Sequence, residues 1–206
     1  MKRFCVITNR DKEDSNRKAV YIQEYLEQKG GKCLILENRR VISEGVLHYT
    51  EADKIPEETE CVLVLGGDGT MIQAAIDLVH SKLPILGINM GTVGFLTEVE
   101  PQNLERALDL MLQDKYTIEN RIMLRESSVT PRGDSSGKAC YALNDVVVSK
   151  RGECRLITIK VYINDELADI YRADGLIIST PTGSTGYNLS AGGPVMVPDT
   201  EATVIT

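Results

Sequence analysis

A glycine-rich segment with a carboxylate in its middle runs from Gly66 to Thr70, in the order Gly-Gly-Asp-Gly-Thr. It follows an apolar run at 61–65 and precedes a segment with helical spacing, the position at which open α/β sheets bind ligands. Glycines let the backbone approach a phosphate closely, and the following helix offers free N–H groups. Asp68 beside a phosphate fits a magnesium ligand or an acceptor of a hydroxyl proton during phosphoryl transfer. The alternative is a tight strand-to-helix turn in which Asp68 is a capping residue.

A second dense segment spans 174–194, DGLIISTPTGSTGYNLSAGGP. A buried-strand pattern followed by small hydroxyl residues and glycines is typical of a binding loop, and Tyr187 offers a ring that can stack on a base. The alternative is a long surface loop punctuated by turns. Upstream, Asn144 and Asp145 interrupt an apolar strand pattern. Such a pair can bind sugar hydroxyls or an amide, and a β-bulge or Asx turn is the alternative.

The common site fingerprints fail. A dinucleotide-binding Gly-x-Gly-x-x-Gly starting at Gly67 would need a third glycine where Ile72 stands. The two histidines, His48 and His80, have no partners at metal-ligand spacing, so we expect no zinc site and assign no metal-ligating set.

The elements that must position these residues alternate along the first half of the chain. Strands are predicted at 3–8, 33–37, 61–65 and 84–88, and helices over about 14–29, over 70–80 and from Pro101. Residues 38–60 are polar and irregular, and we expect a loop with at most one short element. The alternation predicts a parallel sheet covered by helices.

After Tyr116 the helical period disappears and alternating apolar segments follow, with a tight turn predicted at Asn164 and Asp165. We therefore expect an α/β N-terminal domain with a parallel sheet over 1–116, followed by a β-rich domain over 117–206. No Pro/Ser-rich linker separates the two parts, which predicts direct packing between them.

Composition narrows the class of protein. The chain has 206 residues, of which 42% are hydrophobic, so it can bury a core. A net charge of −7 argues against coating nucleic acid or an anionic membrane. The five cysteines are odd in number and lack a C-x-x-C pair, which favours free thiols in a reducing cytoplasm. We expect neither a signal peptide nor a membrane span, because no apolar run is long enough.

Four segments together, GGDGT, INMGTVGFLTEVEP, ALNDVVVS and DGLIISTPTGSTGYNLSAGGPVMVP, resemble the NAD kinase family in order and spacing. The glycine-aspartate turn also occurs in diacylglycerol kinases, sphingosine kinases and 6-phosphofructokinases, whereas the long serine, threonine and glycine stretch is specific. The resemblance covers essentially the whole chain, and it implies that the β-rich domain over 117–206 binds the dinucleotide. It implies phosphorylation of the 2′-hydroxyl of the adenosine ribose of NAD to give NADP. The donor would be ATP, another nucleoside triphosphate or polyphosphate, with Mg²⁺ or another divalent cation.

The resemblance also assigns roles to single residues. It makes Asp68 the general base or metal-associated acid, and it places Asp68 and Phe95 beside the bound dinucleotide. It assigns the phosphate contacts to the other residues of the turn, which are Gly66, Gly67, Gly69 and Thr70. It also implies that Gly69 contacts NAD. The ribose and nicotinamide side falls to Asn144 and Asp145. The adenine side falls to Asp174, Ser184, Thr185 and Tyr187.

In the family the residue matching Asp174 can come from a neighbouring subunit, so the resemblance implies a homodimer or homotetramer. The sequence departs from the family pattern at Gly186, where alanine is usual, and at Met90, where arginine is common. Family members continue beyond the position of Thr206, so we expect the second domain to be truncated there. Two other functions stay open at this stage: a dinucleotide-binding protein without turnover, and a lipid or sugar kinase.

Overall fold

The computed structural model describes residues 1–9, 13–38, 41–43, 46–91, 94–129, 139–152 and 155–206. The chain forms two compact units, Met1–Ile118 and Glu119–Thr206. Within the described residues, no helix is both long enough and apolar enough to cross a bilayer.

The first unit is an α/β layer structure. Its elements in chain order are β1 (Arg3–Asn9), α1 (Glu13–Gln28), β2 (Lys32–Asn38), β3 (Val41–Ser43), β4 (Val46–His48), β5 (Cys61–Gly66), α2 (Asp68–Asp77), β6 (Ile85–Asn89) and α3 (Leu104–Leu112). Four of the strands form a parallel sheet in the order β2-β1-β5-β6. The parallel sheet predicted from the sequence is confirmed.

Strand β5 is buried at every residue, as its unbroken apolar run predicts for a central parallel strand. On one side of the sheet, α1 buries Ala19, Ile22 and Leu26, which recur at helical spacing. The chain leaves β1 toward β2 and returns to the other side of β1 to form β5. The carboxyl ends of β1 and β5 therefore flank a switch point, where open α/β sheets bind ligands.

The segment 38–60 is more ordered than the sequence suggested. Strands β3 and β4 pair as an antiparallel hairpin, and a 3₁₀ turn follows at Ala52–Lys54. The expected loop with at most one short element is wrong. A long-range contact helps to fix this segment, because the buried Asp77 carboxylate accepts the N–H groups of Tyr49 and Thr50 at 3.0 and 2.8 Å. Nothing in the local composition indicates that contact.

The second unit is β-rich. Its elements are β7 (Leu124–Glu126), β8 (Cys140–Ala142), β9 (Asp145–Ser149), β10 (Ile157–Ile163), β11 (Glu166–Ala173), β12 (Gly175–Ser179), the single-turn helix α4 (Tyr187–Ser190) and β13 (Val204–Ile205). Antiparallel pairing gives β7–β8, the hairpin β10–β11 and a sheet in the order β13-β12-β9. Asn164 and Asp165 have φ values of 50° and 68°, which match the predicted tight hairpin turn.

Candidate functional site

The glycine-rich turn lies where β5 passes into α2. Gly66 ends the strand and Gly67, in an extended conformation, precedes the first residue of the helix, Asp68. The N–H groups of Thr70 and Met71 donate to the Gly67 carbonyl at 3.0 and 3.2 Å and close the first turn. The predicted strand–turn–helix context is thus present, and α2 directs its N-terminus, with its partial positive charge, out of the strand end.

The glycines of this turn have different structural needs. A Cβ on Gly66 would lie 2.5 Å from the Thr70 hydroxyl oxygen, so the close approach of strand and helix requires glycine there. A Cβ on Gly67 or Gly69 would meet nothing within 4 Å in the described chain, and neither residue has a positive φ. Internal packing therefore does not explain glycine at 67 and 69, whereas room for a closely approaching ligand does.

Asp68 binds a segment far along the chain. Its Oδ2 accepts the N–H of Phe95 at 2.8 Å, and its Oδ1 accepts the N–H of Leu96 at 2.9 Å. A Cβ on Gly94 would lie 2.1 Å from Asp68 Oδ1, so the carboxylate lies directly against the backbone of this segment. Each carboxylate oxygen keeps further acceptor capacity. The sequence suggested a catalytic or a capping role and did not reveal this contact.

The contact places Phe95 at the edge of the turn. Its backbone is bound to Asp68, while its side chain is 81% exposed, which leaves an aromatic ring for a ligand beside the turn. Met90 has a different environment. Its side chain packs against the hydrophobic core of the first unit, and its N–H donates to the Gly66 carbonyl at 3.2 Å. No basic group therefore stands at position 90.

In the second unit, the structure brings the Asn144–Asp145 pair onto the start of the long binding segment. The carbonyl of Asn144 accepts the Thr180 N–H at 2.8 Å, and Asp145 pairs with Ser179 across β9 and β12. A Cβ on Gly183 would lie 2.2 Å from the Asn144 carbonyl oxygen, so the two segments are in direct backbone contact. The two stretches selected from the sequence for chemistry are thus neighbours.

Asn144 and Asp145 each have a polar group whose environment is typical of a binding site. The Asn144 Oδ1 is buried and has no hydrogen-bond partner among the described residues, so the Asx-turn alternative finds no bond to this oxygen. Leaving such an acceptor unpaired costs about 1–3 kcal/mol, which a donor on a ligand would recover. Burial raises the pKa of Asp145 above its ordinary value, because desolvation disfavours the ionised carboxylate.

The predicted adenine-side residues differ in orientation. Ser184 is fully buried, and its hydroxyl donates to the Pro181 carbonyl at 2.6 Å and accepts the Met196 N–H at 3.0 Å. Thr185 is half-buried, and Tyr187 is 57% exposed on α4. The loop therefore directs Ser184 inward to bind its own backbone and Tyr187 outward. A Cβ on Gly186 would lie 3.2 Å from the Gly183 carbonyl oxygen, so alanine would need a small adjustment there.

Asp174 lies just before β12 and is 72% exposed. Its carboxylate forms an ion pair with Lys150, and its carbonyl accepts the Lys150 N–H at 3.0 Å. Within one chain, therefore, Asp174 already has a cationic partner. Across the described residues no group of three or more His, Cys, Asp or Glu side chains is arranged to hold a metal ion.

Models of known protein families match both the N-terminal and the C-terminal part of the chain. Residues 4–116 match the model of the ATP-NAD kinase N-terminal domain, and residues 143–206 match that of the ATP-NAD kinase C-terminal domain. An NAD kinase of Lachnoclostridium phytofermentans is 45% identical over 100% of this chain and 71% of its own length. An NAD kinase of Agathobacter rectalis is 41% identical over 100% of this chain and 70% of its own length.

Among solved structures, an NAD kinase from Archaeoglobus fulgidus in complex with ATP superimposes with a TM-score of 0.71 at 27% identity, covering 98% of this chain and 70% of that one. A yeast NADH kinase complexed with NADH gives a TM-score of 0.80 at 22% identity over 100% of this chain and 65% of that one, which shows the shared fold. The sequence matches and the superposition on solved structures thus indicate the same relationship. The chain belongs to the NAD kinase family, a family of phosphotransferases.

Proposed function

We propose that the chain transfers a phosphoryl group from ATP to the 2′-hydroxyl of the adenosine ribose of NAD, giving NADP. The observation that carries this proposal is the position of the Asp68 carboxylate. It lies on a glycine turn with open space at Gly67 and Gly69, and the N–H groups of Phe95 and Leu96 hold it in place. Membership of the NAD kinase family supports the reaction, and the ATP complex of the Archaeoglobus fulgidus relative supports the donor.

Phosphoryl transfer depends mainly on positioning and on neutralising charge. A ribose hydroxyl is too weak an acid to be deprotonated beforehand by a carboxylate. Asp68 therefore accepts the hydroxyl proton late, as the new bond to phosphorus forms. Its two contacts to the Phe95 and Leu96 amides hold the carboxylate in one orientation before the substrate arrives.

A divalent cation fits the residues present. Mg²⁺ is commonly bound by one or two carboxylates together with substrate phosphates, so a single carboxylate on the glycine turn is sufficient. In its alternative role as a metal-associated acid, Asp68 would hold the cation, which would neutralise charge on the transferring phosphate. The chain's own contribution is the turn at Gly67 and Gly69, where backbone N–H groups can approach the phosphates.

For the dinucleotide we propose aromatic and polar contacts. Phe95 and Tyr187 present exposed rings, and base stacking on such rings is a common means of binding. The unpartnered Asn144 Oδ1 accepts a donor from the ribose or the nicotinamide amide, and Asp145 accepts a second. Thr185 beside Tyr187 completes the adenine side.

We further propose a cytoplasmic homodimer or homotetramer in which Asp174 contacts the dinucleotide of a neighbouring subunit. Asp174 is exposed, and releasing it from Lys150 breaks a surface ion pair worth only about 0.2–1 kcal/mol. Sedimentation at micromolar concentration, with and without NAD, tests this arrangement. A larger species stabilised by NAD is expected, because a ligand that bridges subunits favours the assembly. A strictly monomeric chain that binds NAD tightly would contradict it.

A coupled assay for NADP tests the reaction itself. The assay compares ATP with polyphosphate as donor, and the 206-residue chain with a version extended beyond Thr206. We expect NADP with ATP in at least one version. The rival is a protein that binds dinucleotides without turnover, which the packing of Met90 into the core favours because it removes a basic contact. Tight NAD binding without NADP formation in either version would establish that rival.

A further inference from the structure

Asn188 is a fully buried polar side chain in the second unit, on α4 directly after Tyr187. Its Nδ2 donates to the carbonyls of Ser184 and Pro194 at 3.1 and 2.8 Å, and its Oδ1 accepts the Thr206 hydroxyl at 2.7 Å. Both amide hydrogens and the amide oxygen are therefore used. One side chain connects three stretches of chain: the 3₁₀ turn at Thr182–Thr185, the segment after α4 and the residue after β13.

Gly193 packs closely against the Asn188 side chain. A Cβ on Gly193 would lie 2.0 Å from Asn188 Oδ1, and the Gly193 N–H donates to the Asn188 carbonyl at 2.9 Å. The inward-facing Ser184 hydroxyl adds a second connection, from the 3₁₀ turn to Met196. Buried networks whose members are all satisfied specify a single conformation.

The helix that carries Tyr187 cannot hold its own position. It is a single turn of four residues, and isolated helices of that length do not form. Asn188 anchors this helix, because its side chain binds Thr206, whose backbone pairs with Ile177 of β12 at 2.8 and 3.0 Å. The orientation of the exposed Tyr187 ring therefore depends on Asn188.

We propose that Asn188 is a positioning residue for dinucleotide binding: through Ser184, Pro194 and Thr206 it fixes the loop that presents Thr185 and Tyr187 to the adenine half of NAD. This inference rests on the proposed function. Asn188 is buried and takes no part in phosphoryl transfer. Its loss raises the KM for NAD and leaves kcat and the KM for ATP nearly unchanged.

The test compares Asn188→Asp with Asn164→Asp. Both variants make the same chemical change, but Asn164 lies in the exposed β10–β11 turn. In Asn188→Asp, two donors are replaced by an oxygen that faces the carbonyls of Ser184 and Pro194. We expect NAD to bind about tenfold more weakly by calorimetry, with a matching rise in KM, and the control to change by less than about twofold.

Thr206→Val provides a milder variant should Asn188→Asp fail to fold. It removes one hydrogen bond to Asn188 and leaves both amide donors in place. A smaller rise in KM for NAD is expected, with faster hydrogen exchange confined to the backbone amides of 184–196.

Unchanged NAD affinity in both variants would overturn the inference. So would an equal loss of kcat and NAD affinity with faster exchange throughout the second unit, because that pattern indicates general destabilisation. Failure of the proposed function looks different, since the unsubstituted chain would then form no NADP, and the affinity and exchange measurements would still report on Asn188.

Discussion

Gly94→Ala tests whether the contact between Asp68 and the 94–96 segment serves the reaction. An alanine Cβ at 94 would lie 2.1 Å from Asp68 Oδ1 and 2.6 Å from its Cγ. To regain even a tight contact of about 3 Å, the carboxylate or the segment must move by about 1 Å. Hydrogen bonds of 2.8 and 2.9 Å to Phe95 and Leu96 do not survive such a shift, because they exceed about 3.5 Å afterwards.

The expected cost follows from those two bonds. A hydrogen bond to a charged group contributes about 1.5–3 kcal/mol, and partial exposure of Asp68 to water reduces the loss toward the lower end. A displacement of about 1 Å at a reacting group costs on the order of 100-fold in rate. We therefore expect kcat/KM for NAD to fall about 100-fold, with the larger part of the loss in kcat.

The measurement is the coupled NADP assay, together with thermal unfolding. Gly91→Ala is the matched control, because a Cβ there meets nothing within 4 Å in the described chain and its φ is not positive. The control should keep kcat/KM within about twofold, as expected for a surface change that removes no contact. If Gly94→Ala retains full turnover, the carboxylate does not need its two amide partners, and the positioning argument for Asp68 is wrong.

Three further predictions concern other parts of the chain. Tyr187→Ala should weaken dinucleotide binding by about 1–3 kcal/mol, the range of a lost base-stacking contact, and unchanged affinity by calorimetry would exclude stacking. Asn144→Ala should impair binding of NAD more than of ADP, because the adenine half lacks the nicotinamide side, and equal losses would contradict that placement. Burial raises the pKa of three thiols from 9.0 to about 12, so they ionise more readily in the unfolded chain: Cys5, Cys33 and Cys61. The free energy of unfolding, measured in urea, should keep the full contribution of the buried thiols below pH 9 and should lose it as the pH rises toward 12. In a Cys61→Ala variant this loss should be smaller, because one buried thiol is absent.

The strands, helices and turns that were predicted correctly from the sequence are those determined by residues close together along the chain. The apolar run of β5, the glycine turn after it and the helical spacing in α1 each depend on a few consecutive residues, and the structure has them where the patterns place them. The tight turn at Asn164 and Asp165 is likewise local. The hairpin within 38–60 was missed, because the sequence around it carries no alternating apolar pattern and because its residue His48 contacts the distant Asp77.

The positions of the site side chains depend on long-range contacts instead. Asp68 accepts amides 27 and 28 residues away, and the Ser184 hydroxyl is used within its own loop. The sequence pattern left Asp68 between a chemical and a capping role, and the family resemblance implied that Ser184 contacts the ligand. In the structure Asp68 also binds the backbone of the 95–96 segment, and the Ser184 side chain is buried within its own loop. Asp68→Asn would therefore change more than the chemistry of the site, because its NH₂ group cannot accept one of the two N–H groups that the carboxylate oxygens bind, and the 95–96 segment would be partly released.

The glycines show most clearly why sequence could not separate fold from function. All of them look alike in a glycine-rich motif, yet their surroundings differ. Some have an atom within 2.5 Å of the position of a Cβ and leave no room for it: Gly66, Gly94, Gly183 and Gly193. Others face open space, among them Gly67 and Gly69. Substitution in the first group acts through the protein's own packing. In the second group a new Cβ meets no packed atom, so apart from a small change in helix propensity it acts on what enters the turn from outside. Alanine at 67 or 69 should therefore leave the unfolding temperature nearly unchanged while it weakens ATP binding, and a loss of stability there would mean that the turn, rather than a phosphate, requires glycine.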